Sequence, residues 1–210
     1  MTASEIRAKA REQLDGKKMN AALALLVFFI IEGILNAIAN ALFPGQTAII
    51  NGVQMQQQST VASIIESAVG IFLGLGMTSY YMKIARGEQP EIMEIFSKGN
   101  LFLKAFITAI LTGFAVLGGM LLLIIPGIIL VFAYSMINYI YIDNPEIGIV
   151  EVMKKSRQIM KGHKWQFFCL GFSFIGWIIL GIFTLGILYF WLIPYMGVAQ
   201  AKFYDSIKEA

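Results

Sequence analysis

Charge is what this chain has least of: 14% of its 210 residues are charged, against about 25% in an average soluble domain. After Lys104 no charged residue appears for 38 positions (105–142), and after Lys164 none for 37 (165–201). A single cysteine, Cys169, excludes an internal disulfide. A single histidine, His163, excludes a two-histidine metal site, and neither HExxH nor paired-cysteine spacing occurs. Glycine-rich phosphate loops need a strand-to-helix turn, and no strands are expected. The formal net charge of +3 is too small to argue for a nucleic-acid partner. No cleavable signal is expected either. Residues 1–18 are polar and charged, and the apolar run behind them exceeds a signal-peptide core.

What is present is apolar surface, 58% of the chain. A soluble domain of this size would leave large patches of it exposed. The expected fold is an all-α polytopic membrane protein forming a single domain over residues 1–210, since about 20 apolar residues cross a bilayer as a helix. The first hairpin lies in 19–82, interrupted only by Glu32 and Glu66 within its apolar runs. The two uncharged stretches are each twice a span and read as further hairpins in 101–142 and 165–203, turning near Pro126-Gly127 and near Gly181 to Gly186. Six spanning helices result, with Pro194 positioned to kink or break the sixth.

All sixteen lysines and arginines fall in 1–18, 83–104, 154–164 and 202–208. By the positive-inside rule both termini (1–18 and 204–210) and two loops (83–100 and 143–164) belong in the cytoplasm. Residues 43–59 form a neutral, glutamine-rich outer loop, expected to be irregular. A repeat is visible at an offset of 146: Arg11 matches Arg157, Leu14 Met160, Gly16 Gly162 and Lys18 Lys164. Lys98-Gly99 marks a looser third copy. Each glycine suits the left-handed residue closing an amphipathic helix. Ser4, Gln89-Pro90 and Asn144-Pro145 suit the starts of these helices. Their apolar residues, Ile6, Leu14, Ile92, Ile95, Ile147, Val150 and Met153, are expected to face the lipid boundary.

The stretches IIPGIILVFAYSMINYIYIDNPEIG (124–148), SRQIMKGHKWQFF (156–168), SFIGW (173–177) and WLIPYMGVAQAKFYDSI (191–207), with Ala10-Arg11, Leu14 and Gly16 near the start, resemble domain of unknown function family 975. Lys18-Met19 stands where that family often shows tryptophan. The resemblance implies a plasma-membrane protein of mainly Gram-positive bacteria, distantly similar to the membrane domain fused to some glycerophosphodiester phosphodiesterases. It implies no activity, no cofactor and no catalytic residue.

Two groups of residues stand out. Glu32, Asn36 and Asn40 recur every four residues and form a polar stripe along the first helix. Ser63, Glu66 and Ser67 form a facing stripe on the second, continuing through Gly70-x-x-x-Gly74, a small-residue pattern suited to close packing. The stripes admit two readings, a protonated glutamate bonded between helices or a proton- or cation-responsive site in a cavity. Lys154, Lys155, Arg157, Lys161 and Lys164 form a basic cluster that either fixes orientation or binds anionic lipid head groups. No nucleophile–base pair is evident, so no enzyme is expected. A small-solute, ion or lipid permease component and a non-catalytic membrane scaffold both remain open.

Overall fold

A computed structural model describes residues 1–50 and 53–208. Helix α1 (Ala3–Leu14) opens on a capping box: Thr2 Oγ1 accepts the Glu5 amide at 3.3 Å, and Glu5 Oε2 accepts the Thr2 amide at 3.0 Å. The cap is therefore Thr2 rather than Ser4, because only Thr2 has the glutamate three residues on. Gly16 takes φ +72° and reverses the chain into α2 (Lys18–Leu42). The pattern recurs in α7 (Ile149–Ile159), Gly162 at φ +86°, and α8 (Lys164–Phe172). Gly16 and Gly162, and the starts of α2 and α8, each lie 146 residues apart, so the repeat is structural.

The third copy departs from it. Gly99 opens a 3-10 turn (Gly99–Leu101), and the segment before it is a 3-10 turn over Ile92–Phe96, not an amphipathic α-helix. Asn144-Pro145 starts no helix either. α7 begins four residues after Pro145, where the Gly148 amide meets Glu151 Oε2 at 3.4 Å.

Five helical stretches are long and apolar enough to cross a membrane: Lys18–Leu42, Thr60–Ala85, Ile92–Leu122, Ile124–Asp143 and Lys164–Phe183. They contain α2, α3 (Thr60–Ala85), α4 (Phe102–Leu122), α5 (Ile124–Tyr134), α6 (Ile137–Asp143), α8 and α9 (Ile175–Phe183). α10 (Tyr189–Ile207) continues through Pro194, which lies buried inside it. Its C-terminal half carries Gln200, Lys202 and Asp205, which lower its hydropathy. The loop between α2 and α3 is not irregular. It holds an antiparallel pair, β1 (Gln46–Ile50) and β2 (Val53–Gln57), with Gln46 opposite Gln57 and Ile50 opposite Val53.

α3, α6 and α10 pack together as the inner layer, and α2, α4, α8 and α9 lie outside them. Tyr139 of α6 stacks on Tyr204 of α10 at 5.4 Å, and Tyr141 shares a buried 2.7 Å hydrogen bond with Thr108 of α4. The outer helices leave Phe29, Ile34, Phe114, Leu121 and Ile182 exposed as a broad apolar belt. The amphipathic segments turn the other way from expectation. Ile6, Leu14 and Ile95 are buried in the protein's own core, whereas Val150 stays exposed. The reason is that α1 lies against α10 and α3, and the 3-10 turn Ile92–Phe96 lies against α3.

Two helical stretches are broken midway, at Ser135-Met136 and at Ser173-Phe174. A break frees backbone carbonyls that need donors. Arg7 of α1 donates to Ser173 O at 3.0 Å, and Ser156 of α7 donates to Ala133 O at 2.8 Å from a buried position. Each amphipathic helix thus supports a broken helix of another unit. Ser156→Ala should leave α7 folded but weaken its docking, because a buried carbonyl loses its donor. The expected loss is about 1–3 kcal/mol, read as a lower thermal midpoint in detergent.

Candidate functional site

Glu32 lies midway along α2 and Glu66 in the second turn of α3, and the two helices pack antiparallel. The structure brings these glutamates together. A Cβ built on Gly70, one turn beyond Glu66, would stand 3.5 Å from Glu32 Oε1. The Oε1 atoms of both glutamates are shielded, and neither has a hydrogen-bond partner among the described residues. Two carboxylates in this arrangement repel each other unless a proton or cation lies between them.

The other four stripe residues serve their own helices. Asn40 Nδ2 donates to Asn36 O at 2.9 Å and Asn36 Oδ1 at 3.1 Å. Ser63 Oγ donates to Ser59 O at 3.2 Å, and Ser67 Oγ to Ser63 O at 2.8 Å. Asn36 and Ser67 are exposed, and no hydrogen bond from these four crosses to the facing helix. Gly74 does not mark close packing, since a Cβ there meets nothing within 4 Å, and one on Gly70 would reach only ordinary contact with Glu32.

Of the basic cluster, Arg157, Lys161 and Lys164 line one groove with Ile129 and Leu130 of α5, a space of about 410 Å³. Lys154 and Lys155 stand outside its lining. Among the described residues no three His, Cys, Asp or Glu side chains converge as a metal site requires.

The family model described as "Protein of unknown function (DUF975)" matches residues 1–129 and 114–210, which together cover the chain. The chain belongs to that family. Neither the curated proteins nor the solved structures contain a match to it.

Two ionic clusters in this DUF975 chain join residues that no sequence motif links. Glu94 accepts from Ser79 Oγ at 2.6 Å, Lys83 Nζ at 2.7 Å and Ser97 Oγ at 2.8 Å, pinning the 3-10 turn to α3. Arg86, just past α3, joins Asp143 at 2.8 Å and Asp205 at 2.9 Å, and Lys208 reaches the same two carboxylates at 3.4 and 3.0 Å. This second cluster ties the ends of all three inner helices. Burial alone would lower the Arg86 pKa, but hydrogen bonds and charges from Asp205 and Asp143 outweigh it and raise it. The available signal was positional. Arg86, Asp143 and Asp205 each sit at the end of a different unit's second helix, two carrying one sign and one the other.

Proposed function

We propose that this DUF975 protein is an integral membrane protein of the bacterial plasma membrane, and that it works as a permease component. Its six spans form three hairpins, both termini are cytoplasmic, and α1 and α7 lie at the cytoplasmic face. The five apolar helices, the exposed apolar belt and the confinement of every lysine and arginine to four segments support this placement. In this orientation the Arg86 network and the basic cluster both lie at the inner face. Arg157, Lys161 and Lys164 are suited there to anionic head groups.

One observation carries the permease reading: two glutamates lie at the interface of adjacent helices, each with a shielded oxygen that nothing among the described residues satisfies. Intramembrane carboxylates of this kind mark proton and cation pathways. Purified protein in liposomes loaded with a pH- or cation-sensitive dye is expected to pass protons or a monovalent cation. Glu32→Gln and Glu66→Gln should each lower the flux by about tenfold or more while leaving the thermal midpoint nearly unchanged. Flux unaffected by both substitutions would overturn the reading.

A membrane scaffold is the second reading. The bonds of Asn36, Asn40, Ser63 and Ser67 within their own helices favour it, since they leave no shared polar lining around the glutamates. It predicts no flux from unaltered, folded protein.

A further inference from the structure

The repeat has a consequence for lipid binding beyond the basic cluster. Arg157 and Lys164 line the groove beside α5, and their repeat partners, Arg11 and Lys18, line a second groove between α1 and α10. Conserving the same two cations at the same turn of the chain in both units is unexpected if they only fix orientation, because any lysine or arginine nearby would do that.

The second groove has a volume of about 340 Å³. Its floor is Leu14 and Leu192, both nearly fully buried. Trp177 and Trp191, each somewhat under half exposed, supply apolar walls of the same groove. Tyr195 sets the polar end. Its hydroxyl donates to Arg7 O at 3.1 Å, and the Arg11 guanidinium lies 5.9 Å over its ring. Arg11 is thereby held at the groove without a carboxylate partner among the described residues. Lys18 bridges Asp15 at 3.2 Å, but both side chains are more than half exposed, and such a surface pair is worth little against a phosphate.

A groove that joins two cations to a wall of tryptophan and leucine side chains matches one kind of molecule. We infer that this groove binds an anionic phospholipid, with the phosphate between Arg11 and Lys18 and an acyl chain along Trp177 and Trp191. The inference rests on the membrane placement proposed above but not on the glutamate pair. Charge complementarity selects the lipid class: a zwitterionic head group would bring its own cation to a rim that already has two. The trough selects a lipid over free phosphate, which would leave the tryptophan walls uncovered.

Tryptophan fluorescence reads the site directly, because two of the three tryptophans lie in it and Trp165 does not. Full-length protein carrying Trp165→Phe is reconstituted in phosphatidylcholine bilayers with a minor fraction of lipid brominated on its acyl chains. Brominated phosphatidylglycerol should quench with an apparent affinity about tenfold above that of brominated phosphatidylcholine. Arg11→Gln with Lys18→Gln should abolish that preference and leave phosphatidylcholine quenching in place. Arg157→Gln with Lys164→Gln, at the other groove, should leave the preference intact. Should the first double variant fail to fold, Lys18→Gln alone, at an exposed side chain, should still reduce the preference several-fold. Equal quenching by the two lipids, or a preference that survives loss of both cations, would overturn the site while leaving the membrane placement standing. No quenching by either lipid would refute the placement itself.

Discussion

Gly76→Ala is expected to destabilise the protein by about 3 kcal/mol, the largest effect of any single methyl group added to α3. A Cβ at Gly76 would clash with the carbonyl oxygen and carbon of Ile95. Those atoms are backbone, so no rotamer change relieves the clash, and the 3-10 turn Ile92–Phe96 must move off α3. That movement is resisted twice. Ile95 is fully buried, and Glu94 beside it is anchored to Ser79 and Lys83 of the same helix. In a chain of this length the loss corresponds to a fall of roughly 6–12 °C in thermal midpoint, measured in one detergent. Gly74→Ala is the control, since a Cβ there meets nothing within 4 Å. Alanine's better helix propensity should leave that variant unchanged or up to about 1 kcal/mol more stable. Equal midpoints for the two variants would show that the turn does not pack on Gly76 as described.

The contrast between Gly74 and Gly76 shows what spacing along one chain can and cannot reveal. Gly70-x-x-x-Gly74 looks like a packing motif because small residues four apart share a helix face. What approaches α3 closely, however, is a turn from another part of the chain, and it meets Gly76, which belongs to no such pattern. The same limit hid the Arg86 network, whose members are separated by 57 and 119 positions. Features fixed by local chemistry were legible. Gly16 and Gly162 take the left-handed backbone expected of residues that end amphipathic helices. The paired strands in the first loop were also legible in principle. Asn51-Gly52 between apolar or β-branched flanks is a strong hairpin signal in the sequence, and neutrality or glutamine content says nothing against it. Ile6 and Leu14 misled for a related reason. An amphipathic pattern says that a helix has an apolar face, not whether lipid or protein covers it.

The clasp at the ends of the inner helices supports the second large effect. Arg86→Met is expected to cost about 2–4 kcal/mol, because it leaves Asp143 and Asp205 adjacent with only Lys208 to neutralise them. Arg86 is about a third exposed, and solvent screening places the loss toward the lower part of that range. The damage is to three helices at once, so α6 and α10 should exchange backbone amides faster together, not one by one. If repulsion is the cause, Asp143→Asn in the Arg86→Met background should recover part of the loss. The coupling between the two sites should then exceed about 1 kcal/mol. Additive effects would mean that the arginine acts through its alkyl packing alone. Alkali provides an independent check. Burial tends to lower the Lys208 pKa, but hydrogen bonding and charge from Asp205, with Asp143 behind it, raise it above its ordinary 10.5. A folded-state value above the unfolded one means that the stabilisation is complete below about pH 10.5 and is lost as pH climbs through the raised value. In the Arg86→Met protein Lys208 is the only cation left in the cluster. Its midpoint should therefore fall more steeply above pH 10.5 than that of the unaltered protein, and parallel curves would sink the assignment.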